Sequence, residues 1–97
     1  MDPRGQIIVP GIEDYETIIQ KRHPATQEKM RWFGYGHLPE GGPRDVSAHF
    51  TGLALTLLGI LGDGPQFTIA LQKLVEAKDC AVRQAIVDVE ARKSNDG

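Results

Sequence analysis

The sequence predicts an all-α fold, namely an antiparallel hairpin of two long helices preceded by shorter helices. Aliphatic residues in the second half of the chain recur every three or four positions, the period of an amphipathic helix. The pairs Gly42-Pro43 and Gly64-Pro65 separate the apolar stretches, and proline is favoured in the first turn of a helix. We therefore expect helices over residues 43–61 and 65–93. The short connection between them favours antiparallel neighbours.

The N-terminal third is less regular than the rest of the chain. Of the 97 residues, we assign 1–11 to an N-terminal arm, 12–93 to a single helical hairpin domain and 94–97 to a disordered tail. At the start of this domain, residues 12–22 and 24–33 are predicted as short helices. Tyr15, Ile18 and Ile19 are expected to face inward from the first of them. Residues 34–40, which are rich in glycine and end near a proline, are predicted as a loop.

Each long helix has a predicted apolar surface. In the first, the expected core face consists of Val46, Phe50, Leu53, Leu57 and either Ile60 or Leu61. The second carries two strips: one is Phe67, Ala70, Leu71, Leu74, Ala77, Ala81, Ala85 and Val89, and the other is Leu71, Val75, Cys80 or Val82, and Ile86. One partner helix does not cover two strips, and a chain this short hides only about 60–65% of its unfolded surface. We therefore expect a homo-oligomeric helical bundle.

Composition excludes several classes of function. Eleven Lys and Arg against thirteen Asp and Glu give a net charge of −2, which disfavours binding to polymeric nucleic acid. One cysteine and three histidines do not suffice for an intramolecular disulfide or a Cys-rich zinc site, so neither a metal nor another cofactor is expected. The longest apolar stretch, residues 50–61, is shorter than the roughly twenty residues of a membrane span. With no apolar signal core near Met1, we expect a cytoplasmic protein.

Catalysis is not expected from the sequence. The zinc-protease, phosphate-loop and serine-hydrolase motifs are all absent. Cys80 and His49 are the best available nucleophile and base, and facing helices could bring them together. The commoner role of a free cysteine is that of a small buried apolar side chain, and this is the role we expect for Cys80.

The stretch from Lys21 to His37 is the most informative part of the sequence for function. It combines four cations, Lys21, Arg22, Lys29 and Arg31, with one acid, Glu28. It also holds Trp32, Phe33 and Tyr35, half of the aromatic residues of the chain. Cations neutralise phosphates and aromatic rings stack on bases, so this set favours a small anionic planar ligand such as a nucleotide. The alternative is that the rings pack against the hairpin and the cations form a solvated face.

Further cations lie on the two long helices. Arg44 is oddly placed for the helix dipole, which favours anions at a helix N-terminus. It therefore either serves a ligand or pairs with Asp45 or Glu40. On the second helix, Lys73, Lys78 and Arg83 alternate with Glu76 and Asp79, which is typical of a solvated face. The alternative is that these three cations contact the ligand.

Two motifs stand out when they are taken together. The first is Phe33-Gly34-Tyr35-Gly36-His37-Leu38-Pro39, and the second is Ala70-Leu71-Gln72-Lys73-Leu74-Val75-Glu76-Ala77-Lys78 with Ala81 and Ala85. As a pair they resemble the helical hairpin domain of small phage proteins that defeat cyclic-nucleotide-based bacterial immunity. The family includes the anti-CBASS sponge and the C-terminal hairpin of an anti-Thoeris sponge. The resemblance covers Phe33 to Val89. Two features depart from it, since Gly36 separates Tyr35 from His37 and the β-rich N-terminal domain of the anti-Thoeris members is absent.

The resemblance implies a protein that binds and sequesters cyclic dinucleotide, cyclic trinucleotide or cyclic ADP-ribose-type signals without cleaving them. The pockets would lie between subunits of a helical oligomer in the cytoplasm of an infected bacterium. By position, the resemblance assigns Phe33, Tyr35 and His37 to the aromatic entry motif of the family. It places Arg44, Lys73 and Lys78 at nearby polar positions. Together with Arg31 and Trp32 from the cation–aromatic stretch, these are the expected ligand-binding residues.

Two functional hypotheses from different classes follow from the sequence. The first is a signal-sequestering binding module. The second is a structural or assembly hairpin that mediates association between proteins and has no small-molecule ligand. The concentration of cations and rings favours the first.

Overall fold

The helices of the protein occur almost where the glycine and proline signals predict them. The computed structural model describes residues 11–38 and 40–96, with side chains up to Lys93. Two short 3-10 turns and four α-helices follow one another in this range, which confirms an all-α fold for it. They are a 3-10 turn at Ile12–Tyr15, α1 at Glu16–Gln20, α2 at Pro24–Met30, a 3-10 turn at Arg31–Phe33, α3 at Gly42–Ile60 and α4 at Pro65–Asp96.

Local chemistry explains the element boundaries. At the start of α2, the His23 side chain accepts a hydrogen bond from the Ala25 N–H at 3.0 Å, and Pro24 occupies the first turn. Gly41 precedes α3 with a φ of 125°, a backbone conformation that residues with a side chain rarely adopt.

The helix α4 continues through Asp96, into the segment predicted as a tail. Most of the predicted arm, residues 1–10, lies outside the described residues.

The core forms where α2, α3 and the first half of α4 meet. Its buried apolar members are Met30, Phe33, Ala54, Leu55, Leu58, Phe67, Leu71 and Val75. The longest helices, α3 and α4, share the most extensive contact, and α2 lies against α4. Gly42 at the start of α3 lies close to Ala85 and Val89 in the last third of α4.

The predicted core face of α3 is wrong in part. Leu53, Ile60 and Leu61 are exposed, Ile60 to 72%, although Phe50 and Leu57 do pack against the core. The buried positions of α3 are instead Ser47, Thr51, Ala54, Leu55 and Leu58. This stretch is apolar on nearly every side, so its periodicity does not distinguish one face from the next. The hydroxyl of Thr51 helps to define the buried face because its single proton is shared between the carbonyls of Phe33 and Ser47, both within hydrogen-bond distance.

Not all of the other predicted apolar positions are buried within one chain. On α4, Phe67, Leu71 and Val75 are buried, whereas Ala70, Ala77 and Ile86 are exposed because the other described elements pack on one side of this helix only. That a second subunit covers the surplus apolar strip stays a prediction. Cys80 is exposed rather than buried. Near the N-terminus, Tyr15 and Ile19 pack against the core as predicted, but Ile18 is exposed.

A polar junction that the sequence does not reveal joins the helix ends. It centres on Arg22 and Asp63, and we call this pair the Arg22–Asp63 junction. Nε of Arg22 donates a hydrogen bond to Oδ1 of Asp63 at 2.8 Å. The other guanidinium nitrogens donate to the carbonyls of Leu58 and Leu61, each at 2.8 Å. The last carbonyls of a helix lack partners within it, and a cation is favourable there, so Arg22 satisfies the C-terminal end of α3.

Asp63 performs the reciprocal role at the start of α2. Its carboxylate accepts from the Thr26 hydroxyl at 2.8 Å and from the His23 backbone N–H at 3.0 Å. These hydrogen bonds, from Thr26 first and then from His23, hold the pKa of Asp63 below its ordinary value of 3.8, and Arg22 adds to the effect. The junction therefore connects the loop between α3 and α4 to the first turn of α2.

Replacing Arg22 tests the stabilising role of the junction. Arg22→Ala removes three hydrogen bonds and leaves Asp63 without its cation, so we expect the free energy of unfolding to fall by about 1–3 kcal/mol. Urea denaturation followed by circular dichroism measures the change. Lys21→Ala is the matched control, because Lys21 is exposed and its loss should cost less than about 0.5 kcal/mol. Equal effects of the two variants would contradict this role.

The lowered pKa of Asp63 predicts how stability depends on pH. A carboxyl group whose pKa is lower in the folded state stabilises the protein above the unfolded pKa of about 4, and this contribution is lost as pH falls through the folded pKa. Asp63→Asn should therefore be less stable than the native protein at neutral pH. The difference should shrink as pH falls below about 4, where Asp63 is first protonated in the unfolded chain, and should be lost as pH falls through the lower pKa of the folded protein. Urea midpoints of both proteins at several pH values measure this, and a difference independent of pH would contradict it.

Candidate ligand-binding site

The second 3-10 turn and the loop that connects it to α3 carry most of the predicted site residues, namely Arg31, Trp32, Phe33, Tyr35 and His37. The entry to this loop is fixed from both long helices. From α3, the Thr51 hydroxyl donates a hydrogen bond to the Phe33 carbonyl. From α4, the Lys78 ammonium donates to the Trp32 carbonyl. The backbone that leads into Tyr35 and His37 is therefore positioned by the core itself.

The structure brings predicted cations and rings into contact. The guanidinium carbon of Arg31 lies 5.1 Å from the centroid of Trp32, and that of Arg44 lies 5.8 Å from the centroid of Tyr35. The Lys78 ammonium lies 5.9 Å from the centroid of Phe33. Each distance is within the range of about 6 Å at which a cation is attracted to the face of a ring.

Phe33 and Lys78 have structural surroundings that limit their access to a ligand. Phe33 is fully buried in the core, so its ring packs against protein rather than presenting a stacking surface. The side chain of Lys78 is only 12% exposed, and its ammonium also lies 3.7 Å from the Asp79 carboxylate. Both residues therefore support the site from the side of the core and present little surface to a ligand.

Several other predicted cations are engaged elsewhere. Arg22 belongs to the Arg22–Asp63 junction, and Lys29 donates to the Gln72 side chain on α4 at 2.8 Å. Arg31 pairs with Glu28 at 3.2 Å. Lys73 is 73% exposed and pairs with Glu76 at 3.6 Å on its own helix. It does not line any of the clefts described below.

Arg44 and Tyr35 form the more accessible part of the predicted site. Nη1 of Arg44 lies 3.9 Å from a carboxylate oxygen of Glu40, the pairing weighed as one alternative for this arginine. The Glu40 side chain is 93% exposed, and an exposed ion pair of this kind contributes little free energy. Arg44 also lines a shallow cleft of about 370 Å³ together with Glu40, Gly41 and Asp45. An anionic ligand can therefore replace Glu40 at small cost.

A second cleft lies between the loop and α4, and we call it the loop–α4 cleft. Its volume is about 270 Å³, and its lining residues are Gly34, His37, Leu38, Ser47, Lys78, Asp79, Val82 and Arg83. Of the predicted ligand-binding residues, His37 and Lys78 line it. Arg83, for which a solvated face was favoured over ligand contact from the sequence, also lines it. The spacing of Lys78 from Val82, and of Asp79 from Arg83, places these residues on neighbouring stripes of α4 and is a signal that could have found the cleft.

Ser47 is a site residue that sequence reasoning missed. It is only 1% exposed, and in the described part of the chain its hydroxyl oxygen has no hydrogen-bond partner. A buried polar group without a partner is unfavourable because it has lost its hydration. The four-residue spacing of Ser47 and Thr51 on α3 indicates a polar stripe, but periodicity does not show which hydroxyl remains unpaired.

The largest described cleft is lined by none of the predicted site residues. Its volume is about 530 Å³, and it is lined by His23, Ala25, Thr26, Asp63, Gly64, Pro65, Thr68 and Ile69. Its carboxylate, that of Asp63, already accepts hydrogen bonds from Arg22, His23 and Thr26. We assign it no ligand.

Metal binding, membrane insertion and catalysis each require a particular arrangement of residues. Within residues 11–38 and 40–96, no group of three or more His, Cys, Asp and Glu side chains is placed to hold a metal ion. No helix in the same ranges has the length and apolar character needed to cross a membrane. Cys80 and His49 are both exposed, and no hydrogen bond joins their side chains.

Comparison with family models, curated proteins and solved structures finds no match to this chain.

Proposed function

We propose that the protein binds and sequesters a cyclic nucleotide signal without cleaving it. The ligand class is a cyclic dinucleotide, a cyclic trinucleotide or a cyclic ADP-ribose-type molecule. The observation that carries this proposal is the stacking of the Arg44 guanidinium over the Tyr35 ring at 5.8 Å. A cation for phosphate and a flat face for a base are thereby placed side by side at the start of α3.

Two properties of this pair favour ligand binding. The Arg44 side chain is 34% exposed, so its guanidinium is accessible yet partly held by its surroundings. Its acidic partner, Glu40, is almost fully exposed, so a phosphate can displace it. Binding without turnover is the simpler proposal, because the nucleophile and base weighed above, Cys80 and His49, are not joined in the structure.

The biological setting in this proposal comes from the resemblance of residues 33–89. On that basis we propose a phage anti-defence protein that acts in the cytoplasm of an infected bacterium. The antiparallel hairpin of α3 and α4 would then assemble into a homo-oligomeric bundle, with ligand pockets at subunit boundaries. Phe33 and Lys78 would position the loop in this scheme, whereas Arg31, Trp32, Tyr35, His37 and Arg44 would remain accessible to the ligand.

A second candidate function is that of an assembly hairpin with no small-molecule ligand. Large apolar side chains are exposed at the end of α3 and along α4, among them Ile60, Ile69, Ile86 and Val87. Large exposed apolar residues that lie together, as the adjacent Ile86 and Val87 do, are typical of a surface that associates with protein. This surface fits both candidate functions, so ligand binding distinguishes them.

Removing either member of the Arg44–Tyr35 pair tests the proposed function. A thermal-shift screen with cyclic dinucleotides, cyclic trinucleotides and cyclic ADP-ribose first selects a ligand, and calorimetry then measures its affinity. Arg44→Ala and Tyr35→Ala should each weaken binding by about 1–3 kcal/mol, the usual loss for a charged hydrogen bond or a stacked base. Arg92→Ala, an exposed arginine near the end of α4, should bind as the native protein does. Native affinity in both loop variants would place the ligand elsewhere.

The exposed face of α4 predicts self-association. Light scattering at micromolar concentration should give a dimer or a larger species rather than a 10.7 kDa monomer. The double variant Ile86→Asp with Val87→Asp should shift the mass toward the monomer, because charges would then lie in the apolar contact. Helical circular dichroism should be unchanged, since both side chains are exposed within one chain. Arg92→Asp serves as the control, and a native protein that is monomeric would refute this prediction.

A further inference from the structure

The buried hydroxyl of Ser47 indicates that the loop–α4 cleft binds a ligand. Ser47 lines this cleft, and its oxygen has no hydrogen-bond partner among the described residues. Its backbone carbonyl, in contrast, accepts a hydrogen bond from the Thr51 hydroxyl at 3.1 Å. A ligand with a polar group at the floor of the cleft would supply the bond that Ser47 lacks.

The charged residues of the cleft indicate the chemistry of that ligand. Lys78 is largely satisfied by the Trp32 carbonyl and by Asp79. Arg83 is exposed and forms no ion pair with another described residue, so its guanidinium is available to an anion. His37 on the loop provides a second donor at the same cleft. Asp79 adds an acceptor, which suits a ligand that carries hydroxyl or N–H groups beside its negative charge.

The size of the cleft limits how much of a ligand it encloses. Its volume of about 270 Å³ is below the roughly 300–1,000 Å³ of pockets that enclose a whole drug-sized molecule. One nucleotide unit is therefore a better fit than a complete cyclic oligonucleotide. His37 is two residues from Tyr35, a chain distance of at most about 7 Å, so the cleft and the Arg44–Tyr35 pair are close enough to hold adjacent units of one ligand.

We propose that the loop–α4 cleft is a subsite for one nucleotide unit. Arg83 and His37 bind its phosphate, Asp79 accepts a hydrogen bond from a ribose hydroxyl or a base N–H, and the Ser47 hydroxyl gains its missing partner. This subsite deepens the proposed function, on which the choice of a nucleotide rests. The location of the subsite, in contrast, is argued only from the residues that line the cleft and does not depend on the proposed function.

Adenosine 5′-monophosphate is a probe for this subsite that does not depend on the identity of the cyclic signal. Titration of the isotope-labelled full-length chain into the millimolar range should give saturable shifts of the backbone amide signals of Ser47, Asp79 and Arg83. Ser47→Ala and Arg83→Gln should each weaken binding of the probe about tenfold. Arg92→Gln is the matched control, since it removes the same charge from an exposed position on the same helix and should leave the affinity unchanged.

Thermal melting of the free variants separates a binding role of Ser47 from a structural one. Ser47→Ala removes a buried hydroxyl that has no partner, so its melting temperature without ligand should equal or exceed that of the native protein. Loss of affinity together with undiminished stability supports the subsite. A fall in melting temperature with native affinity would overturn it. Arg83→Gln is a second test of the subsite. Because Arg83 is exposed, this variant should lose affinity for the probe while its melting temperature without ligand stays native.

The outcomes for the subsite and for the proposed function are distinguishable. Unmoved cleft signals, or native affinity in both variants, would overturn the subsite even if cyclic nucleotides bind through Arg44 and Tyr35. Saturable binding of the probe at the cleft, lost in both variants, would support the subsite even if no cyclic nucleotide binds. In that last case, sequestration of a cyclic signal would be the proposal that fails.

Discussion

The ion pair between Arg22 and Asp63 is the interaction on which the arrangement of the helices depends. One guanidinium satisfies the end of α3, while one carboxylate satisfies the beginning of α2, and the Arg22 side chain also lies over the ring of Phe67 on α4 at 5.5 Å. Three helix ends thus meet in a single polar cluster beside the apolar core. The short helix α2 has little helical stability of its own, and this cluster together with Met30 fixes its orientation. The orientation of α2 in turn sets the position of the 3-10 turn and of the loop that follow it in the chain.

The candidate site is therefore coupled to the core and is not an independent surface loop. Thr51 and Lys78 reach the backbone of Phe33 and Trp32 from different helices, and the Phe33 ring is part of the core. Because the backbone of this loop is already held in place, it loses little conformational entropy when a ligand binds, and this reduces the entropic cost of binding. The same coupling explains why Phe33 and Lys78, which were predicted from the sequence to bind a ligand, serve as supports in the fold.

The bounds of the long helices were predicted closely from the apolar periodicity and from the pairs Gly42-Pro43 and Gly64-Pro65. These pairs act locally, because each of them marks a helix start without reference to distant residues. The buried face of α3 was predicted wrongly in part, since a stretch that is apolar all round gives periodicity no contrast, and the hydroxyls of Ser47 and Thr51 lie on the buried side. The Arg22–Asp63 junction joins residues 41 positions apart, and no local pattern marks a pairing of that separation. At the candidate site, neighbours in sequence such as Arg31 and Trp32 were recognisable as a cation–aromatic cluster. Ser47 was not recognisable, and a solvated role was favoured for Arg83, because only the packing of α3 against α4 brings these two residues to the same cleft.

The single tryptophan of the chain gives the protein a built-in optical reporter. Trp32 is half exposed, lies under the Arg31 guanidinium, and has its carbonyl tied to Lys78 on α4. Its indole therefore samples solvent on one side and the loop entry on the other. Emission from a ring in such a setting changes in colour and intensity when water is displaced or when a purine stacks nearby. Occupancy of the loop and separation of the loop from α4 are thus both observable by fluorescence, without any label.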